Sequence, residues 1–214
     1  MSWERYIRRL GAWRAALYIA IAIVALVWVM VARAATVGQQ APTFTGKDSQ
    51  GKTISLDQYR GKYVVLEWHN QGCPYTKKHY VSGNMQALQK EWTAKGVVWL
   101  TVISSAPGEQ GYVTAGQENS YLTKMHAVPT AVLLDSDAKV ARMYSAKTTP
   151  QMVVIDPAGK VIYDGAIDDK PTPDPEDIKG AKNYVDEALT AAMAGKAVPT
   201  PYTRPYGCSV KYAE

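Results

Sequence analysis

The sequence predicts a mixed α/β sandwich, and three observations carry that expectation. Short β-branched runs alternate with helix-length segments, two late strands flank a hairpin turn, and an amphipathic helix closes the pattern. At 214 residues, with 47% apolar and 20% charged residues, the chain has material for one globular domain with additions at its ends. The net charge of +5 is modest, and Arg5, Arg8, Arg9 and Arg14 belong to the N-terminal segment. No Lys/Arg stripe interleaved with aromatics follows, which argues against a nucleic-acid partner.

The elements divide into three parts. Residues 1–35 form a membrane anchor or signal segment: a basic stretch to Arg14, then AALYIAIAIVALVWVMVA from Ala15 to Ala32 without a charge. As a helix this run covers about 27 Å, close to the hydrocarbon thickness of a bilayer. Trp13 and Trp28 lie near its ends, where indoles favour the interface. The basic side stays in the cytoplasm, so a single-pass anchor in the cytoplasmic membrane places the rest on the periplasmic side. Ala32-Arg33-Ala34 also fits a cleavage pattern, so retention and removal of the segment both remain open.

Residues 36–195 are expected to fold as the domain. After a linker over 36–45, Phe44–Gly61 reads as a small hairpin and a turn. Tyr63–Trp68 (YVVLEW) is a buried strand, and Pro74 opens a helix expected to continue to Lys95 and stop at Gly96. Val97–Ser104 is a second buried strand and Tyr112–His126 a helix. Ala131–Leu134 and Ala138–Tyr144 follow as a short strand and helix. Met152–Ile155 and Lys160–Tyr163 form strands around the turn Asp156-Pro157-Ala158-Gly159. Asp168–Asp177 reads as a solvated acidic loop, and Ala181–Ala194 as a helix ending at Gly195. Residues 196–214, with three prolines, form a tail carrying Cys208 and are expected to lie over the surface.

The chain has two cysteines, Cys73 and Cys208, both on the exported side of the anchor, where thiols pair or exchange. Cys73 ends the loop after a buried strand and precedes a helix. That position offers the positive end of the helix dipole and free backbone N–H groups, both of which stabilise a thiolate. Lys77 and Lys78 add positive charge one turn in. His69, His79 and His126 show no metal-ligand spacing; His79 is expected on the helix surface and His69 as a polar strand end. Trp68 precedes the active loop and is expected to cover the thiol side.

These residues carry a resemblance. The span from Gln40 to Lys62, then VVLEWHNQGCPYTKKHY, then Thr149-Pro150 before MVVIDPAGKVIYDGAIDD, resembles the redoxin branch of the thioredoxin superfamily, which includes the alkyl hydroperoxide reductase and thiol-specific antioxidant proteins. The ending GCSVKY is similar to the peroxiredoxin-like 1 subgroup. The resemblance implies a thioredoxin-like sandwich with a central five-stranded mixed sheet flanked by helices. It also implies that Cys73 is the nucleophile and that Thr149-Pro150 is a cis peptide facing it, leaving the Thr149 backbone free to pair with a substrate strand.

Two departures qualify the chemistry that the resemblance implies. Three residues after Cys73, where thioredoxin-type enzymes carry a second cysteine, stands Thr76. Where the superfamily's peroxidases carry Pro and Thr before the reactive cysteine stand Leu66 and Asn70, and Asn70 offers an amide donor in place of the hydroxyl. Cys208 is the remaining partner, as a resolving thiol or as one end of a structural bridge. The expected site is therefore Cys73 and Cys208 as the catalytic pair, with Trp68, Asn70, Pro74, Thr76, Thr149 and Pro150 around the substrate. It uses no metal and no cofactor. The expected substrate is a thiol or disulfide protein partner, or a hydroperoxide. The contrasting reading is a binding or scaffold module with a structural Cys73–Cys208 disulfide.

Overall fold

The computed structural model describes residues 35–212. The anchor expected within residues 1–35 lies, except for Ala35, outside the described residues. Among those described, no helix is long and apolar enough to cross a membrane.

The domain opens with the expected hairpin: β1 (Thr45–Lys47) and β2 (Thr53–Ser55) pair antiparallel, and a 3-10 turn at Leu56–Tyr59 leads on. The central sheet has the order β5-β4-β3-β7-β8. Its strands are β3 (Val64–Trp68), β4 (Val98–Ile103), β5 (Ala131–Leu134), β7 (Gln151–Ile155) and β8 (Val161–Gly165). β3 runs parallel to β4, with Val64 opposite Val98 and Trp68 opposite Val102. On its other side β3 runs antiparallel to β7, with Val64 opposite Ile155. Every residue of β3, β4 and β7 is buried, because both faces of the sheet are covered. This is the mixed, helix-flanked five-stranded sheet that the resemblance implies.

Alternation along the strands divides the interior into two cores. Val64, Leu66 and Trp68 of β3 share one face with Leu100, Val102 and Val153. That face packs against the entry segment and α4 (Lys139–Met143), through Phe44, Val140 and Tyr144. Val65 points the other way, with Trp99, Val154 and Tyr163. It meets α1 (Pro74–Val81), α2 (Asn84–Ala94) and α5 (Tyr184–Met193), through Tyr80, Leu88, Trp92 and Leu189. α3 (Ala115–Met125) begins at Thr114, whose hydroxyl accepts the Gln117 N–H in a capping box.

Two expectations are corrected here. The helix expected from Pro74 to Lys95 is two helices, α1 and α2. Gly83 lies at φ 77°, a left-handed conformation that stops one helix and starts the next at a new angle. The tail is more than a surface covering, since β9 (Cys208–Ser209) pairs antiparallel with β6 (Thr148–Thr149). Gly165, at φ 155°, lets the tail press on β8; a Cβ there would sit 2.5 Å from the Thr203 carbonyl oxygen.

Candidate active site

The nucleophile candidate is placed by three short segments. β3 ends at Trp68, and the His69 N–H, donating to the Val102 carbonyl at 2.9 Å, carries the parallel pairing one residue further. Asn70 then shapes the loop. Its side-chain oxygen accepts the Gly72 N–H at 2.8 Å, and its carbonyl accepts the Cys73 N–H at 3.0 Å. Cys73 caps α1, with Pro74 in the first turn and the Lys77 N–H donating to the Cys73 carbonyl at 2.9 Å. The loop thus holds the thiol where the first free N–H groups of α1 converge.

The second half of the site comes from the opposite end of the chain. Thr149-Pro150 is a cis peptide. The Thr149 carbonyl lies 3.0 Å from Cys73 Sγ and accepts its S–H. Across β6, Cys208 stands opposite Thr149. The two cysteines are unbonded, with sulfurs 2.7 Å apart. A disulfide spans about 2.05 Å, so the fold brings the two sulfurs within reach of one.

The two thiols are electrostatically unequal. Burial pushes the Cys73 thiol up, but hydrogen bonds from the Cys208 thiol and from the Thr76 backbone outweigh it and hold Cys73 below the ordinary cysteine value. Cys208 moves the other way, pushed up to about 12 by burial and by its role as donor to Cys73. Of the pair, Cys73 gives up its proton first and Cys208 holds its proton longer. That asymmetry suits an attacking sulfur beside a partner that acts second.

The other expected residues occupy distinct places. Thr76 is buried behind Cys73. The Asn70 amide is committed to Gln110, donating to its carbonyl at 3.3 Å and to its Oε1 at 3.1 Å. Trp68 is fully buried, its ring 5.7 Å from that of Tyr144 in the core below the loop. Lys77 is exposed, but Lys78, expected to add positive charge beside the thiol, is buried and engaged elsewhere. Its ammonium donates to the Lys170 carbonyl at 2.6 Å and lies 3.6 Å from the Asp168 carboxylate. Asp168 is accordingly buried rather than solvated. His79, expected on the helix surface, is also buried, 2.9 Å from the Asn84 amide nitrogen. Desolvation lowers its pKa to about 4 and so keeps it neutral at pH 7.

Beneath the loop lies a polar cluster that the sequence reading missed. Glu67 is fully buried on the face of β3 opposite Trp68. It accepts hydrogen bonds from Tyr80 Oη at 2.8 Å, Trp99 Nε1 at 2.8 Å, and Gln89 Nε2 and Thr101 Oγ1 at 3.2 Å. A lone acid inside the apolar run YVVLEW was the available signal, because an unpaired carboxylate there would not be tolerated. His69 sits between two carboxylates, 3.7 Å from Glu67 and 3.9 Å from Glu118. Burial pulls the imidazole pKa down, but Glu67 and Glu118 outweigh it and hold it above the ordinary value. Burial raises the Glu118 carboxyl.

Each raised group gives up its proton at a higher pH in the fold than in the unfolded chain, so stability falls as pH rises from the unfolded value through the raised folded one. Urea denaturation at pH 5 to 8 is expected to show His69→Gln/Glu118→Gln with a shallower decline of stability than the wild type. The slope scales as about 1.4 kcal/mol per pH unit for each proton. Parallel pH profiles would remove this assignment.

Comparison with known proteins follows the geometry. Thiol-disulfide oxidoreductase ResA of Bacillus subtilis is 30% identical over 125 residues, 58% of this chain and 64% of that protein. Peroxiredoxin Bcp of the same organism is 22% identical over 117 residues, 50% of this chain and 62% of that one. The aligned regions thus span less than two thirds of either relative. Among solved structures, an uncharacterized conserved protein from Geobacillus kaustophilus superposes with a TM-score of 0.69 at 24% identity, covering 83% of this chain and 93% of that one. That likeness shows a shared fold. The AhpC/TSA pattern matches residues 37–164, from the entry segment to the end of the sheet and across the Cys73 loop, and by that match the chain belongs to the AhpC/TSA family.

Proposed function

We propose that the protein is an exported, membrane-tethered thiol-disulfide oxidoreductase in which Cys73 attacks and Cys208 resolves. The observation that carries this reading is the pair itself: two free thiols 2.7 Å apart, one shifted toward thiolate and the other away from it. The Cys73 thiolate attacks a partner disulfide, forms a mixed disulfide and releases the first partner thiol. The Cys208 sulfur, deprotonated as it attacks, then displaces the second partner thiol and closes the Cys73–Cys208 disulfide. Two electrons pass from the pair to the partner, and an external dithiol restores the pair. The name of the Bacillus subtilis relative supports this reaction class. The uncharged run at 15–32 behind a basic N-terminus supports the tether and the export, and export suits disulfide chemistry.

Disulfide exchange is favoured over hydroperoxide reduction because the Asn70 amide, the candidate for orienting a peroxide, is committed to Gln110. In steady-state turnover of a disulfide substrate with an external dithiol, Cys208→Ser is expected to fall by about two orders of magnitude, because resolution becomes intermolecular. One stoichiometric burst of mixed-disulfide formation should survive. Unchanged turnover would sink the assignment. A pair potential below about −300 mV would favour the structural bridge instead.

A further inference from the structure

The tail does more than deliver a thiol. Thr149 faces Cys208 and Thr148 faces Ser209 in an antiparallel pairing. Beyond it, the Val210 N–H donates to the Lys147 carbonyl at 3.0 Å, the Ala106 N–H donates to the Lys211 carbonyl at 2.9 Å, and the Tyr212 hydroxyl donates to the Ala146 carbonyl. The tail's own main chain therefore fills the edge beside the nucleophile. That edge is where an extended polypeptide would add a strand, and Cys73 is fully buried beneath it.

Two residues ahead of Cys208 set how the tail docks. The Tyr206 hydroxyl donates to the Asp168 carboxylate, whose other oxygen faces Lys78 Nζ at 3.6 Å and His79 Nε2 at 4.0 Å. Lys78 and His79 belong to α1, the helix that Cys73 caps, so this contact fastens the tail to the helix of the nucleophile. Gly207 is the point of closest approach. At φ 136°, its Cβ would lie 2.1 Å from the Thr149 carbonyl oxygen and 2.7 Å from the carbonyl carbon. Both are backbone atoms held beside the cis peptide, so a side chain at 207 displaces the tail instead of its neighbours.

Resting on the reading of Cys73 and Cys208 as an exchanging pair, we propose that residues 206–212 are an internal occupant of the seat meant for a cysteine-bearing polypeptide strand, latched by Tyr206 and docked only because residue 207 is glycine. While docked, the tail presents Cys208 to Cys73 and excludes a partner. Displaced, it frees the main-chain groups of Thr148 and Thr149 for the partner's strand. A polypeptide gains from those groups through strand pairing, whereas a small disulfide does not.

The test uses the full chain, with Gly207→Ala and the conservative Tyr206→Phe, each alone and combined with Cys208→Ser. In a glutathione redox buffer, Gly207→Ala is expected to lower the effective concentration of Cys208 at Cys73 at least tenfold. That change raises the pair potential by about 30 mV, and Tyr206→Phe moves it the same way by less. In the Cys208→Ser background, both substitutions are expected to speed attack of Cys73 on an unstructured decapeptide–glutathione mixed disulfide. For Gly207→Ala the gain is about tenfold over any gain with oxidised glutathione. Unmoved potentials in both variants, or equal acceleration of peptide and glutathione, overturns the proposal. A wild-type pair that never equilibrates with the buffer instead defeats the exchange reading, and the rates measured without Cys208 still decide whether the tail guards the seat.

Discussion

Replacing Glu67 with alanine is expected to remove about 4 kcal/mol of stability. The carboxylate is fully buried and accepts hydrogen bonds from Tyr80, Gln89, Trp99 and Thr101. Burial opposes its ionisation, yet the His69 imidazole 3.7 Å away, with hydrogen bonds from Trp99 and Tyr80, holds it below the ordinary carboxylate range. Alanine would strand four donors and the imidazole in a dry core. Each stranded donor costs about 1–3 kcal/mol when it finds no new partner, and partial relaxation reduces the sum. Against a typical total of about 5–15 kcal/mol, that loss is a large fraction of the stability. Glu67→Gln should cost far less. Its amide oxygen can serve Trp99 and Thr101 while its NH₂ donates to the Tyr80 hydroxyl, which can turn to accept. Urea denaturation of both variants gives the measurement, and a loss under about 1 kcal/mol for alanine would show that the network is dispensable.

The second large effect is on activity. Cys73→Ser is expected to bring disulfide turnover to the background rate, a loss of about 10³-fold or more, because no other group can take over as nucleophile. Cys208 is the one other thiol in the chain, and its pKa is pushed up to about 12. Burial is the largest cause of that shift and persists when Cys73 is replaced, so little thiolate is present near neutral pH. Alkylation rates of the single-cysteine variants provide an independent check. The pH dependence of alkylation should show Cys208→Ser reacting from a lower pH than Cys73→Ser, and the reverse order would reassign the nucleophile.

Much of the architecture was legible because local pattern and tertiary demand agree. YVVLEW and VVWLTVIS are apolar on both faces and became the central parallel pair. Asp-Pro-Ala-Gly turns β7 into β8. GCPY at a strand-to-helix junction is legible from chemistry alone, since a thiol at a helix start has a defined electrostatic setting. What escaped depends on neighbours distant in sequence. Lys78 and His79 look like an exposed helical stripe until Asp168 and Tyr206 arrive from about 90 and 130 residues away to bury them. The break at Gly83 was visible in Ser82-Gly83-Asn84, but helix-forming residues on both sides hid it. The strand at Cys208 carries no periodic signal because two residues are too few to show one.

The sheet's partition of the interior also makes each core optically distinguishable. Trp68 belongs to one core and Trp92 and Trp99 to the other, and all three indoles are almost wholly shielded from water. Tryptophan emission moves to longer wavelength when the ring meets water, so each face of the sheet carries its own fluorophore. Chains that keep one of these indoles, with the others replaced by phenylalanine, would show whether the two layers come apart together or in succession. Coincident transitions would establish the domain as a single cooperative unit.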